Sequence, residues 1–516
     1  MVYHSDVRTL IALALSCLAA EAQPVITSVV NAESLKPAFS PGSLAFVNGK
    51  NFVPGASMVT VGAKTTYVDP GSTTTQLSIQ IPTDAPFGAN LVTVIVNGQS
   101  SNQFAITVSM FSPALTTLDQ SGAGIGAFTD PQTRRQITAL SPAVPGETLV
   151  TYATGLGTSN PPFTTGQIPN GAPPPLVTPT MMLGTELVQI NSIGLINIGT
   201  WQINFTIPID ASNCATNLVL SIGTGANAAS SPAVTVPFAP LTAPLICSVE
   251  NSANYGVRDA SHGAAANSFI SVYAAGLGVA DSTGSLFPNT KYQGVEVDFN
   301  GAALPLYAVL PSVNLINTML PSSAGSSGTG TITVRNSSGI SQSYTIALAP
   351  ADVGIFPIAG PNDPQQGVVL LANTYWFAMP PALAAYWGFK TPCTGLSAGT
   401  PCGQPVHIGD EITIYFTGGG LATPNGDPNG QPVTTGQVAP ADGSVLYKTV
   451  NQPTVKIGGI QVQPSAILFS GIAPGTAAEY QLNVYVPQGA QTGTDVPVMI
   501  TFGANSTTVT IAIGGS

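Results

Sequence analysis

One motif occurs four times along the chain and constrains its fold more than any other feature. In each copy, apolar and polar residues alternate and then run into a glycine-rich turn. The copies are PGSLAFVNGKNF (41–52), PGETLVTYATGLG (145–157), NSFISVYAAGLG (267–278) and GDEITIYFTGGGL (409–421). A period of two is typical of a β-strand with one buried face, and glycine allows the positive φ angles of a tight turn. The repeat therefore predicts four units that each contain such a strand.

Two further patterns follow every copy of this motif. The first is a strand that ends in proline, a residue that cannot donate to a sheet ladder and suits a strand end. Its copies are QLSIQIP (76–82), WQINFTIP (201–208), NLINTMLP (314–321) and YQLNVYVP (480–487). The second is a hairpin, found at 91–109, 218–238, 330–348 and 496–513. In the first hairpin, Asn97-Gly98 favours a two-residue turn.

These patterns predict an all-β chain of about four tandem immunoglobulin-like β-sandwiches. Composition agrees, because 55 glycines and 45 prolines among 516 residues disfavour helices. The stretch from glycine turn to proline strand is longer in the second and fourth units, so short and long units alternate. The predicted sandwiches are 23–109, 110–240, 241–350 and 351–516.

The short units, with their PG…NF start and VNG…FAITV end, resemble the IPT/TIG immunoglobulin-like repeat. The long units are similar to an uncharacterised immunoglobulin-like C-terminal domain of exported acidobacterial proteins. The matching stretches are TYATGLGTSNPP (151–162) and VKIGGIQVQPSAILFSGIAPGTAAEYQLNVYVPQGAQTG (455–493). In the second unit, LGTELVQINSIGLINIGTWQINFTIP replaces the GG and APG turns of this pattern. The resemblance implies the fold and export, and it brings no catalytic residues with it.

The N-terminus predicts export. An apolar run of 11 residues, Leu10–Ala20, is followed by the small-x-small sequence Ala20-Glu21-Ala22. This pattern is that of a signal peptide, residues 1–22, cleaved after Ala22. Cys17 leaves a lipoprotein signal as the alternative. No later run reaches the 18 apolar residues of a membrane-spanning helix, so we expect a secreted or cell-surface protein that does not span the membrane.

The four cysteines after the signal peptide predict two disulfides, because an even number in an exported chain favours pairing. Cys393 and Cys402 lie nine residues apart in a loop rich in Gly, Pro and Thr, and we expect them to pair. The pairing of Cys214 with Cys247 follows by elimination only. A zinc site is disfavoured, since no C-x-x-C motif is present.

Charge and motif content argue against several function classes. A net charge of −11 without a basic run disfavours nucleic-acid binding. A G-x-S-x-G match around Ser397, with His407 nearby, lacks the strand-turn-helix context of a hydrolase. Glu296 and Asp298 share one strand face, which more often serves solubility than catalysis. The loop 425–430 imitates half of a calcium loop but lacks the Glu at its twelfth position. We therefore expect no enzyme, no cofactor and no metal.

One segment is a candidate for recognition. The stretch 372–390 holds two of the three Trp of the chain, and its Pro380-Pro381 pair is suited to start a short helix. Aromatic faces stack on sugar rings and on apolar partners, and Trp and Tyr dominate binding hot spots. The alternative is that the insertion packs against the fourth sandwich. The candidate binding residues are Tyr375, Trp376, Phe377, Tyr386, Trp387 and Phe389.

The sequence thus predicts a non-enzymatic, exported modular protein for interaction or architecture at the cell surface, either adhesin-like or a spacer. A carbohydrate-binding accessory protein linked to extracellular polysaccharide degradation is the alternative. A surface polysaccharide or an envelope protein is the kind of partner that these functions involve.

Overall fold

The computed structural model describes residues 23–358 and 366–515. The predicted signal peptide, residues 1–22, lies outside the described residues. The chain forms two compact units, which divide between Ala239 and Pro240. Each unit contains a short sandwich followed by a long sandwich, and the contact between the two sandwiches of one unit is called its joint below.

The first short sandwich has immunoglobulin topology. Its strands are β1 (Val25–Asn31), β2 (Leu44–Lys50), β3 (Met58–Val61), β4 (Lys64–Thr65), β5 (Tyr67–Val68), β6 (Gln76–Gln80), β7 (Gly88–Val96), β8 (Gln99–Ser100) and β9 (Phe104–Val108). One sheet has the order β1-β2-β6-β5, and the other has β4-β3-β7 with β8 and β9 both paired to β7. These orders correspond to strands A-B-E-D and C′-C-F-G of the immunoglobulin fold.

The first long sandwich follows with a variation of the same plan. Its strands are β10 (Ala114–Leu115), β11 (Thr148–Thr154), β12 (Thr180–Leu183), β13 (Glu186–Asn197), β14 (Thr200–Thr206), β15 (Asn217–Ile222), β16 (Ala229–Ser230) and β17 (Val234–Thr235). The 12-residue strand β13 pairs with both β14 and β12, so it connects the two sheets. A 3-10 turn lies at Gly225–Asn227.

The second short sandwich repeats the first. Its strands are β18 (Leu245–Asn251), β19 (Gly263–Ala264), β20 (Phe269–Ala275), β21 (Glu296–Phe299), β22 (Ala302–Ala303), β23 (Leu306–Leu310), β24 (Leu315–Met319), β25 (Thr329–Asn336), β26 (Gly339–Ile340) and β27 (Tyr344–Leu348). The sheets are β18-β20-β24-β23 and β19-β27-β25-β21-β22. A 3-10 turn lies at Pro311–Val313.

The second long sandwich is the largest. Its strands are β28 (Gly354–Ile355), β29 (Val369–Leu371), β30 (Trp376–Ala378), β31 (Cys402–Gln404), β32 (Glu411–Thr417), β33 (Ala422–Pro424), β34 (Tyr447–Thr449), β35 (Thr454–Ile457), β36 (Ile460–Gln461), β37 (Ile467–Ile472), β38 (Tyr480–Tyr485), β39 (Gly493–Phe502) and β40 (Asn505–Ile513). The sheets are β31-β30-β29-β32-β38-β37-β34-β33 and β36-β35-β39-β40. The sandwich also holds the α-helix α1 (Pro381–Tyr386) and a 3-10 turn at Pro464–Ala466.

The prediction of an all-β chain of tandem immunoglobulin-like sandwiches is confirmed. In every sandwich the strand of the repeated glycine motif pairs antiparallel with the proline-ended strand, as β2-β6, β11-β14, β20-β24 and β32-β38. Asn97 and Gly98 have φ of 49° and 81°, the left-handed pair that the predicted two-residue turn requires. Among the described residues, no helix is long and apolar enough to cross a membrane.

Each sandwich has its own core, built from the inward residues of its two sheets. In the first, Val47 of β2, Ile79 of β6 and Val94 of β7 are fully buried between the sheets. Burial of each such side chain contributes about 1.5–3 kcal/mol. The alternation read from the sequence thus directs the correct face of each strand inward.

The two joints use the same hydrogen bonds. The hydroxyl Oγ1 of Thr154 accepts from Leu44 N at 2.9 Å in the first joint. Thr417 Oγ1 accepts from Phe269 N at 2.8 Å in the second. A loop of each long sandwich also reaches the short one, where Thr165 Oγ1 accepts from Thr83 N at 2.9 Å and Thr435 Oγ1 accepts from Ser322 N at 3.0 Å.

An asparagine at the end of the first strand completes each joint. Asn31 Nδ2 donates to Ser112 O at 3.4 Å, and Asn251 Nδ2 donates to Asp352 O at 2.7 Å. The residue four positions later has a left-handed backbone in both units, with φ of 54° at Leu35 and 55° at Tyr255. These matching contacts give a residue-by-residue correspondence between the two units.

Candidate functional site

The aromatic insertion of the second long sandwich is an ordered extension of its sheet. Strand β30 pairs with β29 on one side and runs parallel to β31 on the other. The helix α1 begins directly after Pro380, as the Pro-Pro pair predicts, and ends at Tyr386. The disulfide between Cys393 and Cys402, which the sequence predicts, closes the loop that follows. Cys214 and Cys247 are disulfide-bonded as well.

Three of the six predicted aromatic residues help to build this extension. Trp376, Phe377 and Phe389 are half-buried. The rings of Phe377 and Phe389 stack with centroids 4.9 Å apart and planes within 5°. Trp376 pairs across the ladder with Cys402, and its Nε1 is buried. These three side chains therefore support the local fold.

The other three aromatic residues are exposed. Tyr375 is 59 % exposed, Tyr386 79 % and Trp387 40 %. Tyr386 and Trp387 form an edge-to-face pair with ring centroids 5.3 Å apart at the end of α1. Tyr375 lies in a different depression, lined by polar side chains such as Asn373, whereas Tyr386 lines one beside α1. The six aromatic residues thus divide into a half-buried group, an exposed pair and a separate tyrosine.

The weaker chemical candidates are engaged in local contacts. Ser397 Oγ lies 2.8 Å from Thr400 Oγ1, while His407 Nδ1 lies 3.6 Å from Asp410 Oδ2. Glu296 and Asp298 do share a strand face, where both approach Arg335.

The calcium-like loop folds as a turn. Asp427 Oδ1 accepts from Asn429 N at 2.9 Å, and Thr423 Oγ1 donates to Asp427 O at 2.7 Å. Within residues 23–358 and 366–515, no three His, Cys, Asp or Glu side chains are grouped as a metal site would require.

The structure contains a second aromatic surface that the sequence analysis missed. It lies in the second unit, on the outer face of the sheet β18-β20-β24-β23, and is called the aromatic groove below. It is lined by five half-buried aromatic side chains and encloses about 460 Å³. These side chains are Tyr255, Phe269, Tyr273, Tyr307 and Phe356. Phe356 belongs to the long sandwich, so the groove lies at the joint.

The aromatic rings of the groove pack at one end. Phe269 makes edge-to-face contacts with Tyr307 at 4.6 Å and with Phe356 at 6.3 Å between ring centroids. Tyr307 also stacks on Phe287 at 4.8 Å. Behind them, Met319, Ala477 and Ala478 form a small buried cluster that joins the two sandwiches. This end of the groove is therefore held in place from both sides of the joint.

A row of polar side chains crosses the groove. Ser252 Oγ lies 3.0 Å from Ser271 Oγ, and Ser271 Oγ donates to Asn317 Oδ1 at 3.0 Å. Asn317 also lines the groove, and its side-chain amide provides a donor, Nδ2, beside the acceptor Oδ1. The groove therefore combines apolar ring faces with hydroxyl and amide groups.

The electrostatics of the groove are those of a neutral site with acidic neighbours. Burial raises the pKa of the Tyr255, Tyr273 and Tyr307 phenols, so all three stay neutral at physiological pH. Nearby carboxylates act in the same direction, with Glu250 raising the pKa of Tyr273 and Glu479 that of Tyr307. None of the nine lining residues carries a formal charge.

The groove had one signal in the sequence. In β20, Phe269, Ser271 and Tyr273 alternate with the core residues Ile270 and Val272. The outward positions of such a strand are usually polar, and here two of the three are aromatic. The other aromatic residues come from distant segments, and only the fold brings them to this strand.

Compared by sequence, the chain matches no known protein family and no curated protein. Solved structures do match by shape. A protein described as SGBP-B from a complex xyloglucan utilization locus in Bacteroides uniformis has 11 % identity and a TM-score of 0.18, with 95 % of each chain covered. Immunoglobulin domains 1–4 of Sidekick-1 have 8 % identity and a TM-score of 0.15, covering 96 % of this chain and 99 % of that one.

A gamma-CGTase from Alkalophilic bacillus clarkii also matches, with 12 % identity and a TM-score of 0.15. The match covers 41 % of this chain and only 26 % of the CGTase. At such identities these likenesses concern the fold alone. The strand order of the sheets defines the protein as a chain of tandem immunoglobulin-like sandwiches.

Proposed function

We propose that the chain is an exported, non-enzymatic modular protein of the cell surface or extracellular space, acting as an adhesin-like binder or a spacer. The observation that carries the proposal is the repeated joint, in which three equivalent side chains hydrogen-bond the short sandwich to the long one in both units. Such joints fix pairs of sandwiches as larger blocks, as a spacer or a presenting stalk requires. Loops on such a scaffold are suited to contact partners.

The disulfides support an extracellular setting, because disulfides persist in oxidising compartments. The low content of charged residues, 7 %, is shared by both units and leaves loops rich in Ser, Thr, Asn and Gly. We further propose that the long sandwiches belong to the immunoglobulin-like C-terminal domain family that they resemble.

The test is retention of purified residues 23–516 on cell envelopes and on insoluble polysaccharides. The variant to compare is Tyr386→Ala/Trp387→Ala, because these side chains are exposed whereas Trp376 supports the fold. A matched control is Leu140→Ala/Ile209→Ala, which removes two exposed apolar side chains elsewhere. We expect the unmodified chain to be retained, and we expect the control variant to be retained to the same extent. Turnover of a substrate by the purified chain, lost in Ser397→Ala or His407→Ala, would overturn the non-enzymatic proposal.

A carbohydrate-binding accessory protein of extracellular polysaccharide degradation is the second candidate. The exposed edge-to-face pair of Tyr386 and Trp387 favours it, because aromatic faces stack on sugar rings. Retention on polysaccharides but not on envelopes, lost in Tyr386→Ala/Trp387→Ala, would favour this candidate over the spacer.

A further inference from the structure

We propose that the aromatic groove of the second unit binds a neutral oligosaccharide. The inference rests on the proposed binding function and names its ligand class and its site. The groove is separate in the chain from the aromatic insertion, so the two surfaces can be tested independently.

The fold itself does not require aromatic residues at these positions. The joint contacts place Leu35 at the position of Tyr255 and Leu44 at that of Phe269. Four residues further along the same strands, Asn48 corresponds to Tyr273. The first unit thus forms the same sheet and the same joint with two leucines and an asparagine at these positions, while its own aromatic residue on this face, Phe46, stands where the second unit has Ser271. Neither the sheet nor the joint therefore requires aromatic residues at the positions of Tyr255, Phe269 and Tyr273.

The outer face of this sheet also differs from the usual outer face of a β-sandwich. An antiparallel sheet of a sandwich normally presents polar residues on its solvent side. Phe269 and Tyr273 occupy that side of β20, and both remain half-buried in a groove. They lie four residues apart, which corresponds to about 14 Å along a strand. The groove is therefore long enough for more than one sugar ring.

The ligand class follows from the mixture of groups. Ring faces of Tyr and Phe offer apolar platforms, which match the C–H faces of a pyranose. Between them, Ser271 and Asn317 offer hydrogen-bonding groups for sugar hydroxyls. A volume of about 460 Å³ lies within the range of ligand pockets.

Charge selects a neutral sugar over an acidic one. The lining residues carry no positive charge, and Glu250 and Glu479 lie close enough to affect two of the tyrosines. Arg258 is a cation whose charge reaches Glu250, and it is paired with Asp352 in the joint. A uronate, sulfate or phosphate group would find no cation here and would be repelled by the carboxylates.

The experiment is native affinity electrophoresis of residues 23–516 in gels that contain a soluble neutral polysaccharide: β-glucan, xylan, mannan or starch. A polyuronate gel is the charge control. The groove variant is Tyr255→Leu/Tyr273→Asn, which introduces at each of these two positions the residue that the first unit has there. A second variant, Asn317→Ser, introduces the first unit's Ser78 and removes only the amide.

We expect retardation by at least one neutral polysaccharide and none by the polyuronate. The groove variant should bind at least tenfold more weakly, with circular dichroism unchanged, and Asn317→Ser severalfold more weakly. The insertion variant Tyr386→Ala/Trp387→Ala should bind as the unmodified chain does.

Three outcomes would overturn the inference. Retardation lost in the insertion variant but kept in the groove variant would assign binding elsewhere and leave the proposed function standing. If none of the neutral polysaccharides retards the chain, the proposal of a saccharide ligand is wrong. The proposed function would then still be tested by retention on cell envelopes. Tighter binding of a choline-type cation than of any saccharide would assign the aromatic groove to cation–π recognition instead.

Discussion

The two joints share the same hydrogen bonds to the backbone but differ in the side chains around them. In the first joint, Ser112 Oγ donates to Ser40 Oγ at 3.0 Å. In the second, Asp352 stands in place of Ser112 and forms a buried ion pair with Arg258, with Nε donating to Oδ2 at 2.8 Å. The equivalent residues Ser112 and Asp352 are therefore held by different partners, one through a neutral contact and the other through a charged one.

A second difference is one of volume. The first joint contains Gly42 next to Phe163, which itself packs edge-to-face on the buried Trp201. In the second joint, Asn267 replaces the glycine and lies beside Tyr480, the counterpart of Trp201. Val433 replaces Phe163, since it precedes Thr435 by two residues as Phe163 precedes Thr165. The first joint thus combines a glycine with two large aromatic residues, Phe163 and Trp201. The second joint combines a larger asparagine with two smaller residues, Val433 and Tyr480.

The comparison teaches that backbone geometry is what the two joints have in common. A hydrogen bond to a backbone N–H depends on one hydroxyl in one place, whereas a packed interior tolerates different residues if their total volume is similar. Four experiments on residues in or beside the joints test this interpretation and follow in order of decreasing expected effect.

The largest effect is expected at a close backbone approach that both units share. A Cβ atom at Gly418 would lie 1.9 Å from Asp352 O, as one at Gly155 would from Ser112 O. Gly418→Ala should therefore reduce the free energy of unfolding by more than about 4 kcal/mol. Gly459→Ala is the matched control, with a similar φ of 82° but no atom near its Cβ. Calorimetric stability equal to that of the control would contradict the prediction.

The ion pair of the second joint should give the next effect. Arg258→Ala leaves Asp352 buried without its partner, which should cost about 3 kcal/mol at neutral pH. The double variant Arg258→Ala/Asp352→Ser copies Ala38 and Ser112 of the first unit and should regain most of this loss. Urea unfolding of the two variants measures the difference. A double variant as unstable as the single one would show that the unpaired charge of Asp352 is not the cause of the loss.

The volume exchange should give a smaller effect. Gly42→Asn suits the positive φ of 79°, but a Cβ there would lie 2.4 Å from Phe163 Cζ. Overpacking of this kind should cost about 2 kcal/mol. Adding Phe163→Val, the residue of the second unit, should relieve it. Additive losses in a double-mutant cycle, with no coupling between the two sites, would contradict the proposed compensation.

The smallest effect concerns pH. Burial raises the pKa of Glu479 beside the second joint and that of Glu33 beside the first. The proton that each binds in the folded state stabilises the fold below the unfolded pKa of about 4.3. This contribution is lost as pH rises through the raised folded pKa. Glu479→Gln should increase the free energy of unfolding by about 0.5 kcal/mol at pH 8 and leave it unchanged at pH 4. We expect the same of Glu33→Gln, and thermal unfolding at the two pH values measures both effects. A gain that is equal at both pH values would disprove this origin.

Local features of the fold were predictable from the chain. Alternation identified the paired strands, as in β20 and β24, and Asn97-Gly98 identified its turn. The Cys393–Cys402 pair and the start of α1 also follow from near neighbours in sequence. The candidate site was predictable in part, since the insertion does expose Tyr386 and Trp387. The insertion lacks the regular alternation that indicates which side chains are buried. The sequence therefore did not distinguish the exposed Tyr386 and Trp387 from the half-buried Trp376.

The amino-acid sequence by itself determined the strands, their inward faces, the turns and the four-fold order of units, because each depends on the conformational preferences of residues adjacent in the chain. Only the tertiary structure decided the joints and the aromatic groove. Thr417 meets Phe269 across 148 residues, and Arg258 meets Asp352 across 94. Such contacts depend on how two finished sandwiches pack, and packing accepts either a serine or an arginine-paired aspartate at the same position. No local pattern distinguishes between them.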